Sequence, residues 1–264
     1  DPLAIFNAGD MGSKNFRIPG LTTTSTGRLI AANDLRNAGC QDAPANIDAS
    51  ISYSDDNGAT WVHQKIWDMP GSASTIDPSI LYDEASNRTF YFVTTFPQGY
   101  GYHQAQLGNN FVKFNESHNA YVLFDGANAD GQKGKGNKFY WIQELGVVFD
   151  AANKTTDYTV DGDFNLLKAG EKVGNIFLPD SPLKLFGTAY SGLIMSEDMG
   201  ETWGKLRLLY VKQPWMKFCG DGPGRGITIQ NGTKKGRLLF PLYYTNSHGF
   251  QSSAVMFSDD HGDT

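Results

Sequence analysis

Apolar residues along this chain fall in short runs bounded by Gly, Asn, Asp or Ser, and no stretch sustains the 3.6-residue period of an amphipathic helix. Residues 28–32, 50–53, 90–94 and 237–244 are rich in β-branched, leucine and aromatic side chains and read as strands. The fold is therefore expected to be all-β. From about residue 100 to about residue 185 the texture changes: Gly126, Gly131, Gly134 and Gly136 punctuate a polar stretch ahead of the apolar run 139–142, and a further short strand is predicted at 157–160. That segment reads as an irregular β insertion on one edge of a repeat fold, placed to overhang a site.

Superimposed on the strands is a repeated turn. Ser54-Asp55-Asp56-Asn57-Gly58-Ala59-Thr60-Trp61 recurs as Ser196-Glu197-Asp198-Met199-Gly200-Glu201-Thr202-Trp203, and Ser258-Asp259-Asp260-His261-Gly262-Asp263-Thr264 is a third copy that reaches the last residue before its Trp. Ser and Asp side chains can accept from nearby backbone amides, Gly tolerates positive φ, and the indole can plug the space beneath a hairpin. The boxes thus predict a fold device. The second and third lie 62 residues apart, about one four-stranded unit, whereas the first and second lie 142 apart, leaving room for the insertion. Radial repetition of such units builds a β-propeller. The third box implies a break in mid-blade, so residues 1–264 alone are expected to need a second segment to close the ring and form a stable, active monomer.

Composition removes several functional classes. With 22 basic against 28 acidic residues, the net charge of −6 offers no basic surface for nucleic acid or anionic lipid. No apolar run approaches the roughly 20 residues of a membrane span, and the first residues, from Asp1, carry no signal-peptide pattern. Cys40 and Cys219 are too few and too far apart for a disulfide framework and read as free core thiols. The five histidines fit no zinc-binding spacing, so no metal and no cofactor are expected. Glycosylation triplets begin at Asn87, Asn115, Asn153 and Asn231, a common pattern that says little without knowledge of the host.

Candidate chemistry lies between the boxes. Taken alone, Arg17 in Asn15-Phe16-Arg17-Ile18-Pro19 is a surface cation on an edge strand, and Asp42 is one of many loop aspartates. Together with the boxes, however, residues 15–19, 30–36, 42–44, 74–77, 95–101, 215–218 and 222–226 resemble the microbial exo-sialidase (neuraminidase) family, specifically the large secreted bacterial type. The resemblance covers the chain up to Thr264. It implies a six-bladed β-propeller with an inserted β subdomain after the first blade, of which residues 1–264 form about the first half and residues 100–185 the insertion.

The same resemblance implies roles. Arg17 matches the first member of the arginine triad that grips the sugar carboxylate, a task for which a planar guanidinium fork suits better than an ammonium. Asp42 matches the acid/base aspartate, and Arg36 and Asp77 match the pair that holds the 4-hydroxyl and the acetamido nitrogen; a structural ion pair is the plainer alternative for those two. Phe96, Tyr102, Tyr243 and Gln251 match positions lining the acetamido and glycerol pockets, each with an ordinary core role as its alternative. Arg225, between two glycines with no Gly-Lys-Ser/Thr following, reads as loop-shaping. The implied activity is retaining release of terminal α-linked sialic acids from glycoproteins, glycolipids or oligosaccharides, outside the cell. The family's nucleophilic Tyr, that Tyr's Glu partner and two further arginines match no residue before Thr264. A trans-sialidase, an intramolecular trans-sialidase and a non-catalytic carbohydrate-binding propeller are the competing readings.

Overall fold

A computed structural model describes residues 3–108, 111–113, 119–125, 139–142 and 146–264. The triplet at Asn115 and the glycines at 126, 131, 134 and 136 lie outside the described residues.

Strands β1 (Asn15–Thr23), β2 (Leu29–Arg36), β3 (Ile47–Ser54) and β4 (Val62–Trp67) form one antiparallel meander. A second begins with β5 (Ser74–Asp83) and β6 (Arg88–Phe96) and is completed by Tyr190–Ser196 and Arg207–Leu209. One parallel bridge, Ile47 to Ser74, joins the two. A third sheet contains Met216–Asp221, Leu238–Asn246 and Gln251–Ser258, again antiparallel. Among the described residues the only helix is the single 3-10 turn Asp10–Gly12, as the β-rich sequence predicts.

The long β insertion forms an eight-stranded sheet of its own. It leaves the chain after β6 and returns into Tyr190–Ser196, so it interrupts the second meander instead of simply following the first. The boxes could reveal surplus length but not which connection carries it, because each box marks only the end of a third strand.

Burial explains why β2, β3, β5 and β6 read as nearly continuous apolar or small-residue runs. Most of their positions are buried on both faces, which suppresses the period-2 alternation of a half-exposed strand. Ile30, Ile51, Ile80, Tyr91 and Ile194 anchor the main core, with Trp203 packed against it. Each such aliphatic side chain contributes about 1.5–3 kcal/mol on burial. The strand Gln251–Ser258 instead exposes Val255 and Phe257.

The three boxes adopt the same turn. Ser54 Oγ bonds Asp56 Oδ1 at 2.8 Å and accepts the Gly58 amide at 2.9 Å, while Asp56 accepts the Thr60 amide at 2.8 Å. Equivalent bonds link Ser196, Asp198, Gly200 and Thr202, and again Ser258, Asp260, Gly262 and Thr264. Indole Nε1 of Trp61 and of Trp203 donates to the carbonyl of Gly58 and of Gly200 at 3.1 and 3.2 Å. Both cysteines are free, but only Cys219 is a core thiol; Cys40 is exposed on the β2–β3 loop, contrary to the sequence expectation.

Candidate active site

Two β-bulges aim the first residues of the site. Register slips between Arg17 and Gly20 on β1 and between Ile76 and Ser79 on β5. At these points Ile18 and Asp77 take φ of 59°. A β-branched residue in that region is strained by roughly 1–3 kcal/mol, and such local distortion re-aims side chains that a regular pleat would point elsewhere. The β1 bulge also brings backbones together: a Cβ on Gly20 would lie 2.2 Å from the Gly224 carbonyl oxygen. The short bridge from Gly224–Arg225 to β5 lies beside that contact.

Arg36 ends β2 with its side chain only 1% exposed. Its Nη2 donates to Asp34 Oδ2 at 2.8 Å, and its Nη1 donates to the Cys40 carbonyl at 2.7 Å and lies 2.7 Å from Asp42 Oδ1. Arg17 Nη1 reaches the same Asp42 oxygen at 3.1 Å. Arg17 and Asp42 are the open part of the cluster, at 45% and 67% side-chain exposure. Asp77 does not pair with Arg36; its Oδ2 accepts the Tyr243 hydroxyl at 2.8 Å, and its backbone N–H donates to Asp34 Oδ1 at 3.0 Å.

The aromatic residues stand beside this polar group. Tyr102 Oη meets Thr245 Oγ1 at 3.2 Å and accepts Gln251 Nε2 at 2.6 Å. Phe218 joins the rings, with centroids 4.9 Å from Tyr102 and 5.1 Å from Tyr243. Phe96 is fully buried and stacks on Phe218 at 6.2 Å, so it lies beneath the aromatic wall and not on its surface.

No family model matches the chain. Among curated proteins it is 32% identical to an anhydrosialidase of Macrobdella decora and 29% identical to sialidase B of Streptococcus pneumoniae, each match covering 98% of this chain. An intramolecular trans-sialidase from Ruminococcus gnavus, solved with oseltamivir carboxylate, superposes over 98% of this chain and 61% of its own with a TM-score of 0.86 at 31% identity. The chain is a sialidase homologue. The leech intramolecular trans-sialidase, solved with 2,7-anhydro-Neu5Ac, gives a TM-score of 0.87 at 32% identity and covers 99% of this chain and 44% of its own. The chain spans 39% and 42% of the length of the two curated relatives.

In this sialidase homologue the cluster presents the Arg17 guanidinium to solvent, beside a buried Arg36 and buried carboxyls. Burial pushes the Asp34 carboxyl up to about 7, opposed by its bond from Arg36. Burial likewise raises Asp77, against the Tyr243 hydroxyl that favours its anion. A further carboxyl, unnoticed in the sequence, sits below: Asp221 is pushed up to about 8 by burial and by the nearby charge of Asp77. Its amide donates to Thr94 Oγ1 at 2.8 Å. Sequence reasoning also passed over Asp34 as a functional residue, although its signal was present. Asp34 and Arg36 are two apart on one strand and so point to the same face.

Chemically, the exposed fork of Arg17 suits an anionic group on a ligand, and Asp42 stands within bonding distance of that fork. The Arg36 guanidinium, fixed by Asp34, and the bonded pair Asp77–Tyr243 offer fixed donors and acceptors for hydroxyl and amide groups.

Proposed function

We propose that the protein carrying this chain cleaves terminal α-linked sialic acids from glycoconjugates outside the cell, on a six-bladed propeller to which these three sheets contribute. The observation that carries this reading is the convergence of Arg17 and Arg36 on Asp42, with Nη1 atoms 3.1 and 2.7 Å from one oxygen. Sialic acid bears a carboxylate on its anomeric carbon, so a guanidinium and a carboxyl side by side serve the substrate's anion and its leaving group together.

In this scheme Arg17 holds the substrate carboxylate, and Arg36 and Asp77 hold the 4-hydroxyl and the acetamido nitrogen. Tyr102, Tyr243 and Gln251 border the acetamido and glycerol arms, with Phe96 backing them. Asp42 gives a proton to the glycosidic oxygen as the bond from the anomeric carbon breaks. A tyrosine nucleophile, which we assign to no residue of this chain, passes its proton to its glutamate partner as it forms the glycosyl–enzyme bond; Asp42 then accepts a proton from the incoming hydroxyl as that bond is broken with retention and the glutamate returns the proton to the phenol. A tyrosine suits this substrate because an anionic nucleophile would meet the repulsion of its carboxylate.

Water as the incoming hydroxyl yields free sialic acid. The second reading, in which the sugar's own glycerol arm attacks and yields the 2,7-anhydro sugar, is favoured by the two intramolecular trans-sialidases among the similar structures. Full-length protein incubated with 3′-sialyllactose and followed by NMR distinguishes the two products. Arg17→Ala and Asp42→Ala are each expected to lower turnover by orders of magnitude, with Asp42→Ala less damaging on an aryl sialoside, whose leaving group needs little protonation. Wild-type turnover of sialyllactose by both variants would overturn the proposal.

A further inference from the structure

We infer that Asp34, buried with both carboxyl oxygens engaged inside the fold, is the positioning residue that sets Arg36 and Asp77 at the same time. Its side chain is 1% exposed. Oδ2 fixes Arg36 on β2 through Nη2 at 2.8 Å, and Oδ1 accepts the Asp77 amide of β5 at 3.0 Å. The second contact falls inside the β5 bulge, where pairing with β6 is interrupted between Ile76 and Ser79 and Asp77 takes positive φ. One carboxylate thus holds a strained backbone turn with one oxygen and aims a guanidinium with the other.

Each arm continues toward the open site. Arg36, once fixed at Nη2, has Nη1 free to hold the Cys40 carbonyl and Asp42. Asp77, once fixed at its amide, receives the Tyr243 hydroxyl. Losing either arm would leave its partner's rotamer undetermined, and an error near 1 Å at a reacting group costs about 100-fold in rate. Stability alone is a weak reason to keep such a group, because buried ion pairs are often replaceable by apolar residues at no net loss. Joining two recognition residues on different strands is a task that an apolar residue cannot perform.

This inference rests on the proposed roles of Arg36 and Asp77, and a double-mutant cycle in the full-length protein separates the two claims. Asp34→Asn retains an acceptor for the Asp77 amide but puts an NH2 donor where Arg36 Nη2 needs an acceptor, abolishing that charge-assisted bond, with an expected loss of roughly 10- to 100-fold in kcat/KM for 3′-sialyllactose. Arg36→Met measures the direct role of the guanidinium. If Asp34 acts through Arg36, the double variant Asp34→Asn/Arg36→Met falls within about 3-fold of Arg36→Met alone. Fully multiplicative losses would overturn the inference, as would an Asp34→Asn enzyme with wild-type kcat/KM. Should the Asn variant not fold, Asp34→Ser enters the same cycle; failure of both to fold is the behaviour of a purely structural pair and also overturns it. Wild-type kcat/KM in Arg36→Met would instead remove Arg36 from the proposed substrate grip, a distinct outcome.

Discussion

Gly101 lies directly against the loop that carries Asp42, and adding one methyl group there tests whether that loop must sit where it does. A Cβ on Gly101 would stand 2.1 Å from the Ala43 carbonyl oxygen, 2.4 Å from its carbon and 2.8 Å from Pro44 N. All three are backbone atoms, so no side-chain rotation relieves the contact. Since real Cβ contacts essentially never fall below 3.0 Å, the two segments must separate by about 0.9 Å, the difference from 2.1 Å. Gly101 is anchored by its carbonyl, which accepts the Ala105 amide at 2.9 Å, and the far end of the Asp42 loop is tied by Ser74 Oγ to the Ala45 carbonyl at 2.8 Å. Asp42 adjoins Ala43, so much of the strain falls on the carboxyl that lies 2.7 Å from Arg36. A displacement of this size at the proposed proton donor is expected to lower kcat by roughly 10- to 100-fold. Steady-state kinetics of full-length Gly101→Ala on 3′-sialyllactose, with melting temperature as the folding control, measures the effect. Wild-type kcat in a folded variant would refute the buttress argument.

Two further perturbations probe the electrostatics. A ligand carboxylate seated on Arg17 competes with Asp42 for Nη1, so Asp42→Ala should bind oseltamivir carboxylate more tightly while losing turnover. Both groups are well exposed, and solvent screening limits the gain to roughly 1.5- to 5-fold, readable by titration calorimetry; weaker binding would count against a shared grip. Asp221→Asn tests the buried carboxyl: folding raises its pKa from 3.8 to about 8, so the unfolded chain loses this proton first and wild-type stability falls as pH rises between those values. The slope approaches about 1.4 kcal/mol per pH unit, and the neutral Asn variant should gain on the wild type by up to about 4 kcal/mol from pH 4 to pH 7. Urea unfolding of the intact protein at the two pH values measures this, and a difference that does not change with pH would contradict a protonated Asp221.

What was readable in the sequence follows the range of the interactions. The bonds that shape each box turn join residues no more than four apart, so Ser, Asp and Gly at fixed offsets were enough to anticipate the turn. Even there, part of the backbone was hidden: Asn57, Met199 and His261 also take positive φ, immediately before the expected glycines. Nothing about Met199 as a residue type announces that conformation, because the side-chain bonds around it impose it. The site is the opposite case. Tyr243 meets Asp77 across 166 positions and Gln251 meets Tyr102 across 149, distances over which no local pattern carries a signal. Those residues were found through family resemblance, and resemblance alone could not tell that Phe96 is buried under the wall that Tyr102 and Tyr243 form.

The burial pattern divides the site into a fixed half and a free half, and that division has mechanistic content. Arg36 and Asp34 are each 1% exposed and mutually bonded, on a strand buried along nearly its whole length. Groups so held require little reorganisation as charge develops, which is the condition under which fixed dipoles and charges lower a barrier most. Arg17 and Asp42, by contrast, are exposed and bonded to each other, so each can change partner at small cost because the exposed pair is worth little in water. Under the proposed mechanism, an acid that must meet the leaving oxygen and later the incoming hydroxyl needs such freedom, whereas residues that orient the sugar do not. The exchange is coupled: a substrate carboxylate that occupies Arg17 removes one of Asp42's two guanidinium partners, and the remaining contact with Arg36 keeps the carboxyl near the sugar. In the proposed mechanism, binding of the anion thereby frees Asp42 to meet the leaving oxygen.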